Sequence, residues 1–223
     1  MSHDRKLPHT VQPLASLLLL SLTLSLYASL SAAATNPAFE QALHSFEQAA
    51  AGDQSAIEPA AKAFEALVGI QPGDPVPLAY AGSATAMKAT TTLLPWRKMQ
   101  HAEDGLAQLD KALSLLNAGH DAPDARGLPP ALEVRFTAAS TFLALPGLFK
   151  RHTRGEKLLA EVLAHPAFAA APLHFRGAVW LRAGQEAAKA ERPADARRWW
   201  QQVLSSNAPQ AAAAQARLKE LGV

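Results

Sequence analysis

Beyond residue 36 the apolar positions of this chain recur every three or four residues, which is the period of one face of an α-helix. Phe39, Leu43 and Phe46 form a first stripe, and Ala60, Phe64 and Leu67 a second. Leu78, Ala81, Gly82 and Thr85 follow, then Gly105, Leu109 and Ala112, then Val134, Ala138 and Thr141, then Gly155, Leu159 and Val162. The clearest pair is Trp180, Ala183, Gly184 and Ala187, answered by Ala196, Trp200 and Val203 across a turn at Glu191-Arg192-Pro193. Leu218 and Leu221 belong to a last Ala-rich helix, expected to open at Pro209 and end at Gly222. Breakers separate the stripes: Ala51-Gly52-Asp53, Gly73-Asp74-Pro75, and a Gly/Pro/Asp loop over residues 117–130. Asn36 and Asp74 stand in N-cap positions, each before a proline suited to a first helical turn. The pattern predicts an all-α chain built from helix pairs.

Residue usage agrees. Only eight Val and two Ile stand against a large excess of Ala and Leu, and β-branched residues are what strands prefer.

The beginning of the chain has a different pattern. Arg5 and Lys6 precede an uncharged apolar run, Leu14 to Leu30, that ends in Ser31-Ala32-Ala33-Ala34. A positive start, a greasy middle and small residues before a cut are the parts of a secretory signal peptide, assigned to residues 1–34. The competing reading is an uncleaved membrane anchor, although a spanning helix needs about 20 apolar residues and this run carries several Ser and a Thr. Either way, residues 35–223 are expected outside the cytoplasm: periplasmic or secreted, or anchored in the inner membrane and facing the periplasm. The chain has no cysteine, which excludes disulfides, thiolate metal sites and cysteine nucleophiles and suits an oxidising compartment.

The paired stripes have the spacing of the tetratricopeptide repeat, in which W-x2-L-G-x2-Y on one helix is answered by A-x3-F on the next. Trp180, Gly184, Ala196 and Trp200 match in type and offset, while Ala183 and Ala187 replace Leu and Tyr. Ala60, Phe64 and Pro72 repeat the second-helix offset, and Gly82 takes the place of the close-packing glycine. Residues 54–208 therefore resemble this family. The resemblance implies α-α hairpins stacked into a right-handed superhelix, three fairly complete units with an N-terminal partial one, closed by a capping helix.

Two stretches interrupt the spacing. Thr90 to Met99 delays the second helix of its unit, and Leu145 to Arg151 forms another irregular turn. Each sets an aromatic residue and cations after a proline: Trp96, Arg97 and Lys98 in one, Phe149, Lys150 and Arg151 in the other. Equivalent turns of stacked units lie side by side, so these six residues are one candidate partner-binding patch. Alternatively Trp96 and Phe149 fold inward to plug widened turns, with the cations solvated. The second candidate comes from the resemblance, which implies a concave groove lined by first helices: Ser83 and Met87, Arg135 and Phe142, Gln185 and Lys189. The lysine and asparagine carboxylate clamp of many such domains is not present.

Chemistry finds little support. No zinc-protease, phosphate-loop, nucleophile-elbow or kinase motif occurs. Six histidines follow residue 34, none in a ligand spacing; His120-Asp121 with Asp124 reads as a turn cap. Net charge is +2, and without Asp4, Arg5 and Lys6 it is +1, which makes no electrostatic case for nucleic acid. Arg197-Arg198-Trp199-Trp200 leaves only Trp199 off the helical core face. The expectation is a non-catalytic scaffold, without cofactor or metal, binding another envelope or secreted protein. The alternative is a ligand-binding accessory subunit of an envelope transport or export system.

Overall fold

The computed structural model describes residues 36–222, and the signal or anchor reading falls outside them. Nine α-helices and no strand occur among the described residues. They are α1 (Pro37–Ala50), α2 (Ile57–Ile70), α3 (Pro75–Met87), α4 (Pro95–Leu115), α5 (Pro130–Ala144), α6 (His152–Ala164), α7 (Leu173–Lys189), α8 (Pro193–Ser205) and α9 (Ala211–Glu220).

Local chemistry sets the boundaries. Five helices, α1, α3, α4, α5 and α8, open on proline, whose fixed φ suits a first turn and whose missing N–H would be unpaired there anyway. The Asn36 carboxamide oxygen accepts from Ala38 N at 3.1 Å and the Asp74 carboxylate from Val76 N at 2.9 Å, the caps expected of both. At the tight reversal between α7 and α8, Glu191 adopts a left-handed φ of 56°. The last helix begins at Ala211 rather than Pro209: Gln210 precedes it without a side-chain cap bond, and its Nε2 instead donates to His174 O at 3.0 Å.

Helices pack against their neighbours along the chain, α3 on α4, α5 on α6 and α7 on α8 being the closest pairs. Small residues make these contacts possible. Gly82 and Gly105 face one another across α3 and α4: a Cβ on Gly105 would lie 2.5 Å from Gly82 O and 2.6 Å from Ala86 N. Gly155 seats Leu143 in the α5–α6 pair, and Gly184 seats the Trp200 indole in the α7–α8 pair. That indole also donates to Leu181 O at 3.2 Å. All four stripe residues of α7, and Ala196, Trp200 and Val203 of α8, are buried.

Between pairs the bonds are more polar. Phe64 of α2 stacks on Tyr80 of α3 at 4.8 Å, with Phe39 and Phe46 edge-on around them. Tyr80 then donates to Glu133 of α5 at 2.8 Å, and Thr141 of α5 meets Ser83 of α3 at 2.8 Å. Arg182 of α7 donates to Ser140 O of α5 at 3.0 Å. α3 is consequently buried on every side, from Pro75 to Ala86.

One expectation needs correction. Thr90 to Met99 is not an irregular insertion throughout: a 3-10 turn spans Lys88–Thr90, and from Pro95 onward the chain is helical. Trp96, Arg97 and Lys98 are thus the first turn of a 21-residue helix. The stretch after Pro95 holds no breaker, so the helix starts at its first opportunity.

Candidate functional site

The two candidate surfaces are built differently from each other. At the C-terminal end, α7, α8 and α9 enclose a depression of about 350 Å³, lined by Gln185, Ala188, Lys189, Trp200, Arg217 and Glu220. Trp200 and Ala188 supply apolar lining, because Gly184 leaves room for the indole beside α7. Around them stand an amide, two cations and a carboxylate. Arg217 pairs with Glu220 at 2.9 Å, and Lys189 with Glu186 at 2.9 Å.

Glu186 is the anionic centre of this end. Its side chain is only 7% exposed, with Arg182 Nε at 3.2 Å and His152 Nε2 at 3.6 Å, yet its Oε2 accepts no hydrogen bond. Burial disfavours the charged form of Arg182 and lowers its pKa, while the neighbouring Glu186 acts in the opposite direction. The Lys189 ammonium, 56% exposed, donates to Glu186 Oε1 at 2.9 Å from the solvent side.

The other surface is the turn from Leu93 to Met99. Leu93 is 93% exposed and Trp96 66%, so Trp96 does not plug the turn. Arg97 and Lys98 are exposed and form no ion pair with a described residue. Phe149, by contrast, is half-buried against the core. Lys150 is exposed and left-handed, with φ of 54°. Arg151 is not free: it binds Asp110 of α4 at 2.8 Å, beside Arg154, which pairs with the same carboxylate. Asp110 lies fourteen residues from Trp96, about 21 Å along α4. The ion pair therefore holds Arg151 at mid-helix and does not join the two turns into one patch.

The six residues placed on a concave face also separate. Gln185 and Lys189 share the α7–α9 depression. Ser83 and Phe142 are interior, 2% and 0% exposed, and serve packing between pairs. Met87 rests on Ala49, Ala56 and Ile57. Arg135 is partly buried between Asp121 at 3.9 Å and Glu161 at 3.8 Å. Periodicity finds the buried face of a helix, but the solvent side of α3 and α5 vanishes when a neighbouring pair covers it.

Sequence reasoning missed Arg217 and Glu220, which only the return of α9 brings to α7, and missed Leu93, Leu94 and Met99, which the fold leaves exposed. His120 takes its expected capping place, its Nδ1 accepting from Asn117 N at 3.1 Å. No cluster of three or more His, Asp or Glu able to hold a metal occurs among the described residues. No family model, curated protein or solved structure matches the chain.

Proposed function

We propose that this protein is a non-catalytic scaffold of tetratricopeptide-like helix pairs that grips a segment of another envelope or secreted protein. The observation that carries this reading is the open, polar-rimmed depression between α7 and α9. A small apolar ligand calls for a concave site lined mostly by hydrophobic side chains. Here Gln185, Lys189, Arg217 and Glu220 stand around a floor formed by Ala188 and the edge of the buried Trp200, which suits a polypeptide presenting its backbone or a carboxylate to the rim. Placement in the envelope rests on the N-terminal pattern alone. The alternative, an accessory subunit holding a small or lipidic ligand, would need a deeper apolar chamber.

Photo-crosslinking from position 185 of the full chain in its own cells tests the reading. The expected adduct is a polypeptide, identified by mass spectrometry. Its affinity for the purified chain should fall at least roughly tenfold in the Lys189→Glu/Arg217→Glu variant, the loss typical of a reversed pair of interface charges. Adducts that are only lipid or small molecules, or an affinity unmoved by the double reversal, would overturn it.

A further inference from the structure

Every residue from Leu93 to Gln100 is exposed. Leu93 at 93%, Trp96 at 66%, and Leu94 and Met99 at 39% each gather large apolar surface into seven residues of chain. Scattered exposed apolar residues are ordinary on a soluble protein, but four together on a protruding turn are not. The turn is also held in shape. Pro95 fixes the helix start, Thr91 Oγ1 donates to Lys88 O at 3.0 Å, and Leu94 N donates to Thr92 Oγ1 at 3.3 Å.

Its charge is one-sided. Arg97 and Lys98 lie between Trp96 and Met99, and the sequence has no acidic residue between Asp74 and Glu103. The first turn of α4 adds the positive end of a 21-residue helix dipole. Trp favours the headgroup level of a bilayer, Leu and Met the acyl boundary just below, and Arg and Lys extend their stems through apolar surroundings to reach phosphate. A stable protein interface instead needs about 800 Å² from each partner. A turn of seven residues offers only a few side chains toward that area.

We propose that the Leu93–Met99 turn is a membrane-surface anchor, which inserts Leu93, Trp96 and Met99 into the headgroup boundary of an anionic bilayer while Arg97 and Lys98 bind lipid phosphates. The inference stands apart from the α7–α9 depression, which lies on other helices.

The chain has no cysteine, so Leu93→Cys provides a single attachment point for an environment-sensitive fluorophore. The full chain is attached to phosphatidylcholine vesicles with and without phosphatidylglycerol, and emission and iodide quenching are read from the label. A local reading of this kind is indifferent to attachment through the N-terminal apolar run. With phosphatidylglycerol present the emission should move to the blue and quenching should fall, whereas a label placed by Ile70→Cys, itself 74% exposed, should not respond. Adding Arg97→Gln/Lys98→Gln to Leu93→Cys should lower the ratio of inserted to free turn about twenty-five-fold, from two cations at roughly fivefold each. Three results overturn the proposal: no protection on anionic vesicles, equal protection on neutral ones, or protection that appears only when envelope proteins are added, which would make the turn a protein-docking site.

Discussion

At Gly82 a Cβ would lie 2.8 Å from the Gly105 carbonyl oxygen and 3.0 Å from Leu109 N, both backbone atoms of a neighbouring helix. Alanine gains about 1 kcal/mol of helix propensity over glycine, but that gain does not win here. Relieving the contact means pushing α3 off α4, and overpacking of this kind costs about 1–3 kcal/mol. Gly82→Ala should therefore lower stability in urea denaturation, whereas Gly69→Ala, with nothing within 4 Å of its Cβ, should not. Tyr80 makes a second residue-scale prediction. Burial, followed by the charge of Glu133, raises its pKa well above the ordinary tyrosine value of 10.0. Since the folded value is the raised one, the contribution of the neutral phenol is complete below pH 10 and is lost as pH rises beyond it. Wild-type stability should fall by up to about 1.4 kcal/mol per pH unit above 10 from this group. Tyr80→Phe should remove that slope and cost about 1 kcal/mol at pH 7, because Glu133 Oε1 still accepts from Arg126 at 2.9 Å. Denaturation curves of both proteins from pH 7 to 11 check the difference.

Among the elements, α4 and α6 are tied through Asp110, which binds Arg151 and Arg154 while both guanidinium groups lie over the Phe142 ring at 5.5 and 5.3 Å. Asp110→Asn leaves two cations side by side without their anion. Asp110 is 33% exposed and Arg151 27%, so solvent screens the pair and the loss should be about 1 kcal/mol. Stability should also become less sensitive to added salt than in the wild type, which urea titrations at low and high ionic strength measure. The same ion pair shows where sequence reading stops. Helix identity, the glycine contacts and the caps at Asn36 and Asp74 were legible, because each depends on residues three or four apart or on one neighbouring turn. Arg151 looked like a free cation in a turn, since its partner is forty-one residues away. Trp96 and Phe149 had equivalent places in the pattern, yet one is exposed and the other half-buried. Trp96 falls in the first turn of α4, whereas Phe149 sits in a 3-10 turn that packs against the core, a difference that local spacing does not encode. Gln185 and Lys189 were placed by family offset, and their companions Arg217 and Glu220 by nothing short of the three-dimensional return of α9.

Across the molecule, packing is close to nearest-neighbour: each helix meets the one before and after it, with α3 on α5 the main exception. Stability in such an arrangement is approximately a sum of pair and interface contributions, and damage at one end stays local. α9 closes the C-terminal end with Ala214 and Leu218, while Ala208 and Gln210 fill the space beside Gly177. Leu218→Ala removes a side chain 8% exposed, and at the last helix the cavity can partly collapse, so a loss of about 2 kcal/mol is expected, the lower end for a buried leucine. Amide exchange gives the sharper measurement. Protection should drop in α8 and α9, where the missing side chain loosens contact with the preceding pair, and stay unchanged in α1 to α4. A uniform fall through all nine helices would mean that the described residues unfold as one unit and that no stack of independent interfaces exists. Local loosening would also open the depression between α7 and α9, so the same variant should weaken partner capture at position 185 while leaving the Leu93 label on anionic vesicles as protected as before.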